Sequence, residues 1–314
     1  MKPIAADMTQ EIGRFAPSPT GLLHFGSLVT AVASYCFAKA AKAQWLVRME
    51  DLDVSRNIPG AADAILRQLE HLGLWWDKTV VYQSARLEFY ADTLQHLIDA
   101  GHVYRCICTR REIAAQAHRH TSAGPVYSGR CRLLQHSAEK KGSWRFMVSS
   151  DLIGFDDLIH GKIEHSLIHT VGDYILKRAD NVFAYQFTTP LDDAIQGVTQ
   201  VIRGADLLDS TPRQIYLLCS LNKSIPEYGH IPLVLDEGGN KISKSAQVLR
   251  NIDPGHPLPF GTPDLFRALL FLGQAPPISL QRSPPVELLT WAVNNFKPSS
   301  IPRHNQIMFP PSTY

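Results

Sequence analysis

The stretch RFAPSPTGLLHFGSL, residues 14–28, carries a short apolar strand through a Pro-rich turn into an apolar helix. A strand ending at Phe15 delivers the chain to a helix start near Phe25. Unsatisfied backbone N–H groups at a helix start attract phosphate, and Gly21 and Gly26 let a polyphosphate approach the main chain. His24 is placed to donate a hydrogen bond to an oxygen on which charge builds up. Alone, the stretch also reads as an ordinary Pro-Gly turn with a surface histidine. A second stretch, GGNKISKSAQ at residues 238–247, shifts that balance. Two ammonium groups on a Gly-rich loop, Lys241 and Lys244, suit a pyrophosphate leaving group. In this order and this far apart, the two motifs are more specific than either one.

Working outward, residues 11–16 and 45–51 (WLVRMED) read as strands. Residues 25–42 and 60–73 read as helices, the second closed by Gly73. Residues 85–100 read as a helix with Ser84 as its N-cap. This βαβα order predicts an α/β fold, a Rossmann-like parallel sheet covered by helices. From Tyr104 to about Ile168 the alternation breaks up, as in an inserted subdomain. It resumes with NVFAYQFTTP (181–190) and GVTQVIRG (197–204) as strands, then a helix over LLDSTPRQIYLLCSLN (207–222). Beyond residue 250, prolines surround two short helical patterns, 263–273 and 285–296. The expected divisions are 1–103 and 169–250 for the two halves of the catalytic domain, 104–168 for the insertion, and 251–314 for a short helical stem-contact portion.

The chain has 314 residues, 45% hydrophobic and 19% charged, with formal net charge +2. That is ordinary globular composition, with room for two or three domains, and it neither demands nor excludes a polyanionic partner. The N-terminus lacks the apolar core of a signal peptide, and the apolar run from Phe25 to Ala38 is too short to span a bilayer. A cytoplasmic location with no membrane or DNA partner is expected. Of five cysteines, Cys36 and Cys219 read as buried small hydrophobes. Cys106, Cys108 and Cys131 share one segment and predict a metal site, for which tetrahedral zinc needs a fourth ligand. His118, His120 and His136 are the ordinary candidates.

These motifs resemble those of class I aminoacyl-tRNA synthetases. SPTGLLHFGSL resembles the family's HIGH signature and KISKS its KMSKS signature. The likeness is strongest to the glutamyl branch, running from GRFAPSPTG through RMEDLD, YQSARLEFYADTL, HVYRCICTRRE and LKRADNVFAYQF to VIRGADLLDSTPRQ. Two departures point to a truncated paralogue: the run HFGSLVTAV has no Arg, and the chain ends too soon after Ser245 for a helical anticodon-binding region of on the order of 150 residues. The resemblance implies ATP-dependent glutamate activation with Mg²⁺ and transfer to queuosine in the anticodon stem-loop of tRNA(Asp). It implies Arg14, Ser18, Glu50, Tyr185 and Arg203 in the glutamate pocket, with Glu50 on the ammonium and the two arginines sharing the carboxylates. His24, Gly26 and Lys244 would bind ATP, and His24, Lys241 and Lys244 would act in catalysis. Asp51 and Asp53 read rather as structural partners. For the metal it implies one structural zinc held by Cys106, Cys108, Tyr127 and Cys131, Tyr127 taking the place of a histidine. Three alternatives stand beside this reading: a discriminating synthetase that charges a tRNA 3′ end, a small-molecule adenylyltransferase, and a silent RNA-binding paralogue.

Overall fold

The computed structural model describes residues 11–121, 124–134, 136–236, 238–239 and 260–308. The KISKS loop with Lys241 and Lys244 lies outside them. The described elements, in chain order, begin with β1 (Ile12–Phe15), α1 (Phe25–Ala40), β2 (Gln44–Met49), α2 (Ala61–His71), β3 (Val81–Tyr82) and α3 (Leu87–Asp99). Next come β4 (Val103–Cys106), α4 (Arg110–Gln116), β5 (His120–Thr121), β6 (Gly124–Pro125), β7 (Ser143–Phe146), β8 (Leu152–Asp157) and β9 (Gly161–Ser166). They continue with α5 (Leu167–Thr170), β10 (Tyr174–Lys177), α6 (Tyr185–Ile195), β11 (Gln200–Gly204), α7 (Thr211–Ser220), β12 (Glu227–Ile231) and β13 (Leu233–Leu235). Last are α8 (Thr262–Phe271), α9 (Pro285–Asn295) and β14 (Gln306–Met308).

The main sheet has the order β3-β2-β1-β11-β12-β8-β9, parallel throughout except for β9. Helix α1 is apolar nearly all round because it is buried on both sides, by the sheet and by α8 and α9. Gly13 lets β1 and α1 approach, since a Cβ there would sit 3.1 Å from that of Ala38. Trp45 on β2 is fully buried beneath α1, with Nε1 donating to Ser34 Oγ at 3.1 Å. A second core, around Tyr90, Phe146, Tyr174 and Phe187, joins α3 and α6 to an antiparallel sheet of order β10-β7-β4.

Several expectations are corrected. Strand pairing runs across residue 168: β8 and β9 extend the main sheet, through Tyr228↔Asp157, whereas β10 joins the small one. Helices α8 and α9 of the C-terminal portion share the first core with α1. Residues 185–190 are not strand but the first half of α6, with Pro190 inside the helix. Ser84 is not an N-cap. It lies in a 3-10 turn, and its hydroxyl donates to Asp51 at 2.6 Å. Cys36 is buried as expected, but Cys219 is only half-buried.

Candidate active site and candidate metal centre

Adjacent parallel strands bring their C-terminal ends together, and ligands of open α/β sheets bind at such ends. Arg14 comes from β1, Arg48 from β2 with Glu50 just beyond it, Arg203 from β11 and His230 from β12. Helix α6 closes the side, presenting Tyr185, Thr189, Asp192 and Asp193. Together they form a buried network of ions.

Asp193 accepts from Arg14 Nε and Nη2, both at 3.2 Å, and pairs with Arg48 Nη1 at 2.8 Å. Arg48 Nη2 donates to Glu50 Oε1 at 3.4 Å, and the Thr189 hydroxyl donates to the same oxygen at 2.9 Å. Asp192 accepts from Gln83 at 2.7 Å and Tyr90 Oη at 2.6 Å. Burial works against every one of these charges. It would lower the Arg14 and Arg48 guanidinium groups, but their carboxylate partners outweigh it and hold both above the usual range. Burial pushes the Glu50 and Asp192 carboxyls up, against the pull of Arg48 and other neighbours. At Asp193 burial pushes the same way, but Arg14 and Arg48 win and hold it down.

Arg203 differs from the other two arginines. It is buried, and its partners are neutral: His230 Nε2 at 3.0 Å, Tyr185 Oη at 3.1 Å, Gln214 Oε1 at 2.8 Å and Thr211 Oγ1 at 2.7 Å. Both Glu50 and Tyr185 line a cavity of about 580 Å³, with Ser18 beside them. The same cavity reaches Tyr127 and Asp173 in the inserted region, and Arg56, Arg178 and Arg213 line it. Arg213 Nε and Gln186 Oε1 are buried there without a hydrogen-bond partner, though both side chains contact Ser210 Oγ.

The turn before α1 is built as the opening stretch predicts. Gly21 has φ +126°, which a side chain would resist. His24 is the N-cap, its Nδ1 accepting from Ser27 N at 3.2 Å, so the ring proton belongs on Nε2, where it meets Ser27 Oγ at 3.0 Å. Gly26 falls in the first turn of that helix.

In the inserted region, the sulfurs of Cys106, Cys108 and Cys131 lie within 4.8 Å of one another. Tyr127 Oη is 3.4 Å from Cys106 Sγ and 3.6 Å from Cys108 Sγ, and accepts from Cys131 N at 3.0 Å. A tetrahedral zinc with bonds of about 2.3 Å to sulfur and 2.0 Å to oxygen needs ligand separations of roughly 3.5–3.8 Å. The donor set therefore fits a metal ion. None of His118, His120 and His136 belongs to the group. Burial would raise the Cys131 thiol, but hydrogen bonds from Tyr127, the Ile107 backbone, Cys108 and His136 bring it down to about 6. Arg145 stacks over the Tyr127 ring at 4.0 Å and so fixes the phenol from behind.

The structure thus brings Arg14, Glu50, Tyr185 and Arg203 to one strand-end cluster, with Ser18 on the cavity that Glu50 and Tyr185 line, and gathers Cys106, Cys108, Tyr127 and Cys131 at another point. Arg14 pairs with Asp193, whereas among the described residues Arg203 pairs with no carboxylate. Arg48, Asp157, Asp192, Asp193 and His230 were not anticipated. Of these, Arg48 carried a readable signal, as a charge inside an apolar strand.

The catalytic-domain profile of class I tRNA synthetases (E and Q) matches residues 12–254. The chain is 49% identical over 294 residues to the glutamyl-Q tRNA(Asp) synthetase of Geobacter sulfurreducens, covering 93% of each chain. It is 45% identical over 301 residues to the protein of that name in Dechloromonas aromatica, covering 95% of this chain and 98% of the relative. The chain belongs to the glutamyl-Q tRNA(Asp) synthetase branch of the class I tRNA synthetases. As a member of that synthetase family it is a ligase-type enzyme. A crystal structure of a glutamate tRNA ligase from Elizabethkingia meningosepticum, in complex with its amino acid, matches with a TM-score of 0.74 at 24% identity. That match covers 94% of this chain and 66% of the ligase, and is a likeness of fold. None of the described helices is long and apolar enough to cross a membrane.

Proposed function

We propose that the chain activates glutamate with ATP and Mg²⁺ and transfers it to queuosine in the anticodon stem-loop of tRNA(Asp). The observation that carries the reading is a buried guanidinium whose partners among the described residues are neutral, Arg203, bonded to Tyr185, which lines one cavity with the Glu50 carboxylate at the ends of parallel strands. Glutamate needs that pair of opposite charges, one for a carboxylate and one for its ammonium. The names of the relatives agree.

In this reading Glu50 holds the ammonium, Arg203 with Tyr185 holds a carboxylate, and Ser18 and Arg14 border the amino acid. The α-carboxylate oxygen attacks the α-phosphorus of ATP, an O–P bond forms, and the bond to pyrophosphate breaks. His24 Nε2–H and the N-terminal turn of α1 at Gly26 stabilise phosphate charge, and Lys241 and Lys244 neutralise the leaving pyrophosphate. A hydroxyl of the acceptor then attacks the glutamyl carbonyl, an ester forms and AMP departs. The cations along the cavity toward the inserted region, Arg56, Arg178 and Arg213, suit the phosphates of an incoming RNA. Zinc, when bound by Cys106, Cys108, Cys131 and Tyr127, supplies a structural cross-link in a segment with little apolar material.

The test is a comparison of acceptors. A queuosine-containing tRNA(Asp) anticodon hairpin with a blocked 3′ end should accept glutamate as an alkali-labile ester, and periodate should abolish acceptance by cleaving the vicinal diol. The same hairpin with guanosine should accept none. If tRNA(Glu) accepts glutamate on its terminal ribose and the hairpin does not, the chain is a discriminating synthetase instead.

A further inference from the structure

We infer that His230 and Asp157 are positioning residues that hold Arg203 ready for a substrate carboxylate while keeping its counter-ion out of contact. The inference rests on the proposed glutamate reading and adds two residues to it. Arg203 and His230 are register partners on β11 and β12, so their side chains leave the sheet on the same face. Behind His230 stands Asp157 at the end of β8, its Oδ2 2.6 Å from His230 Nδ1. Its other oxygen accepts from the backbone N–H groups of Ile159 and His160, both at 3.0 Å, and of His230 at 3.3 Å. All three side chains are buried.

The chain of donors has one consistent direction. Asp157 is acceptor-only when ionised, so His230 Nδ1 carries the proton and Nε2 presents a lone pair. Arg203 Nε–H donates to that lone pair at 3.0 Å, and the Thr211 hydroxyl, also 3.0 Å away, shares it. Burial lowers the His230 ring to about 4, with Arg203 acting in the same direction and the Asp157 hydrogen bond opposing it, so the imidazole stays neutral at pH 7. A carboxylate at the same place would form a contact pair with Arg203, as Asp193 does with Arg14, and an incoming carboxylate would then have to compete with it. The imidazole satisfies the guanidinium without neutralising it, and Asp157 balances the charge from one ring further away. Thr211, Gln214 and Leu207 O fix the rest of the fork, leaving Tyr185 as the partner that faces the cavity.

Asp157→Asn is the sharpest perturbation, because its amide keeps the shape but donates toward His230 Nδ1. The ring must then take the Nε2–H tautomer and set a donor against the Arg203 Nε–H. His230→Leu removes the acceptor, and His230→Gln restores a neutral oxygen near the Nε2 position. Each is measured by glutamate-dependent ATP–pyrophosphate exchange, with melting curves to confirm folding. Asp157→Asn and His230→Leu should raise the glutamate KM about tenfold or more while the ATP KM stays within about twofold, because a buried donor left facing no acceptor acts on this one pocket. His230→Gln should recover to within about threefold of wild type. Equal rises in both KM values, or an unchanged glutamate KM in folded variants, overturn the inference and leave the glutamate reading standing. No glutamate-dependent exchange in the wild-type chain overturns the glutamate reading and the inference with it. If the variants do not fold, ¹⁵N spectra of the histidine-labelled wild-type chain decide. His230 protonated on Nδ1 and perturbed by glutamate is the expected result, and protonation on Nε2 overturns the assignment.

Discussion

Asp193→Asn tests the buried network at its most connected point. The carboxylate is 2% exposed and binds three guanidinium nitrogens, two on Arg14 and one on Arg48. Asparagine keeps the size and one acceptor oxygen but removes the charge, leaving Arg14 without the carboxylate it pairs with, while Arg48 keeps Glu50 and Asp192. Breaking a buried pair by removing one partner costs about 3–5 kcal/mol, and the retained oxygen argues for the lower figure, about 3. Melting temperature falls by roughly 2–4 °C per kcal/mol in chains of 150–250 residues, so a drop of about 6 °C is expected in this longer chain. Urea unfolding at pH 7 should show a lower midpoint with an unchanged slope. The pairing is specific if Arg14→Met combined with Asp193→Asn costs less than the sum of the two single changes. An Asp193→Asn midpoint equal to wild type would refute the reasoning, because it would mean that Arg14 and Arg48 are satisfied without this carboxylate.

Three further outcomes are expected. Asp193 and Asp157 are held below their ordinary range. Their stabilisation is therefore present above the unfolded carboxylate value, about 3.9, and is lost as pH falls through the lower folded values. Asp193→Asn should flatten that acid limb, as read from urea midpoints below about pH 5. Purified protein should contain about one zinc per chain by elemental analysis; Cys131→Ser should lose it, and Tyr127→Phe should retain it more weakly because three thiolates remain. Lys244→Ala should lower pyrophosphate exchange by about tenfold or more with the melting temperature unchanged, since a charge on the leaving group acts in the transition state.

The first hundred residues were legible because local signals and tertiary structure agree there. Short apolar runs form β1 and β2, a longer one forms α1, and glycines close α2 and α3. The family motifs likewise led to Arg14, Glu50, Tyr185, Arg203 and the cysteine cluster. Local signal failed where burial overrode it. Residues 185–190 are rich in aromatic and β-branched side chains and contain Pro190, which reads as strand. They are helical because that path puts Phe187 and Leu191 into the second core and turns Asp192 and Asp193 onto the strand ends. An adjacent pair of aspartates in sequence reads as a solvated surface, and only Arg14 and Arg48, far away along the chain, reveal their role. The β8–β9 hairpin was assigned to the insertion for the same reason. Its place in the main sheet depends on Tyr228, and nothing within residues 152–166 announces that partner.

The two arginines at the ends of β1 and β11, equivalent as residue types, differ in what a ligand would meet. A carboxylate arriving at Arg14 finds Asp193 already accepting from two of its nitrogens, while one arriving at Arg203 finds a cation whose partners are all neutral. Two unit charges 4 Å apart at an effective dielectric of about 20 interact by roughly 4 kcal/mol, and a neutral amide in the same place gains no such attraction. In the proposed reaction, selection of an acidic side chain over its amide therefore belongs at Arg203, and Arg14 shapes the wall against which the amino acid lies. The neutral ring of His230 makes the difference. It allows one strand end to bury a guanidinium that is fully hydrogen-bonded and still available as a charge, next to a strand end where the charge has been used to hold the fold together.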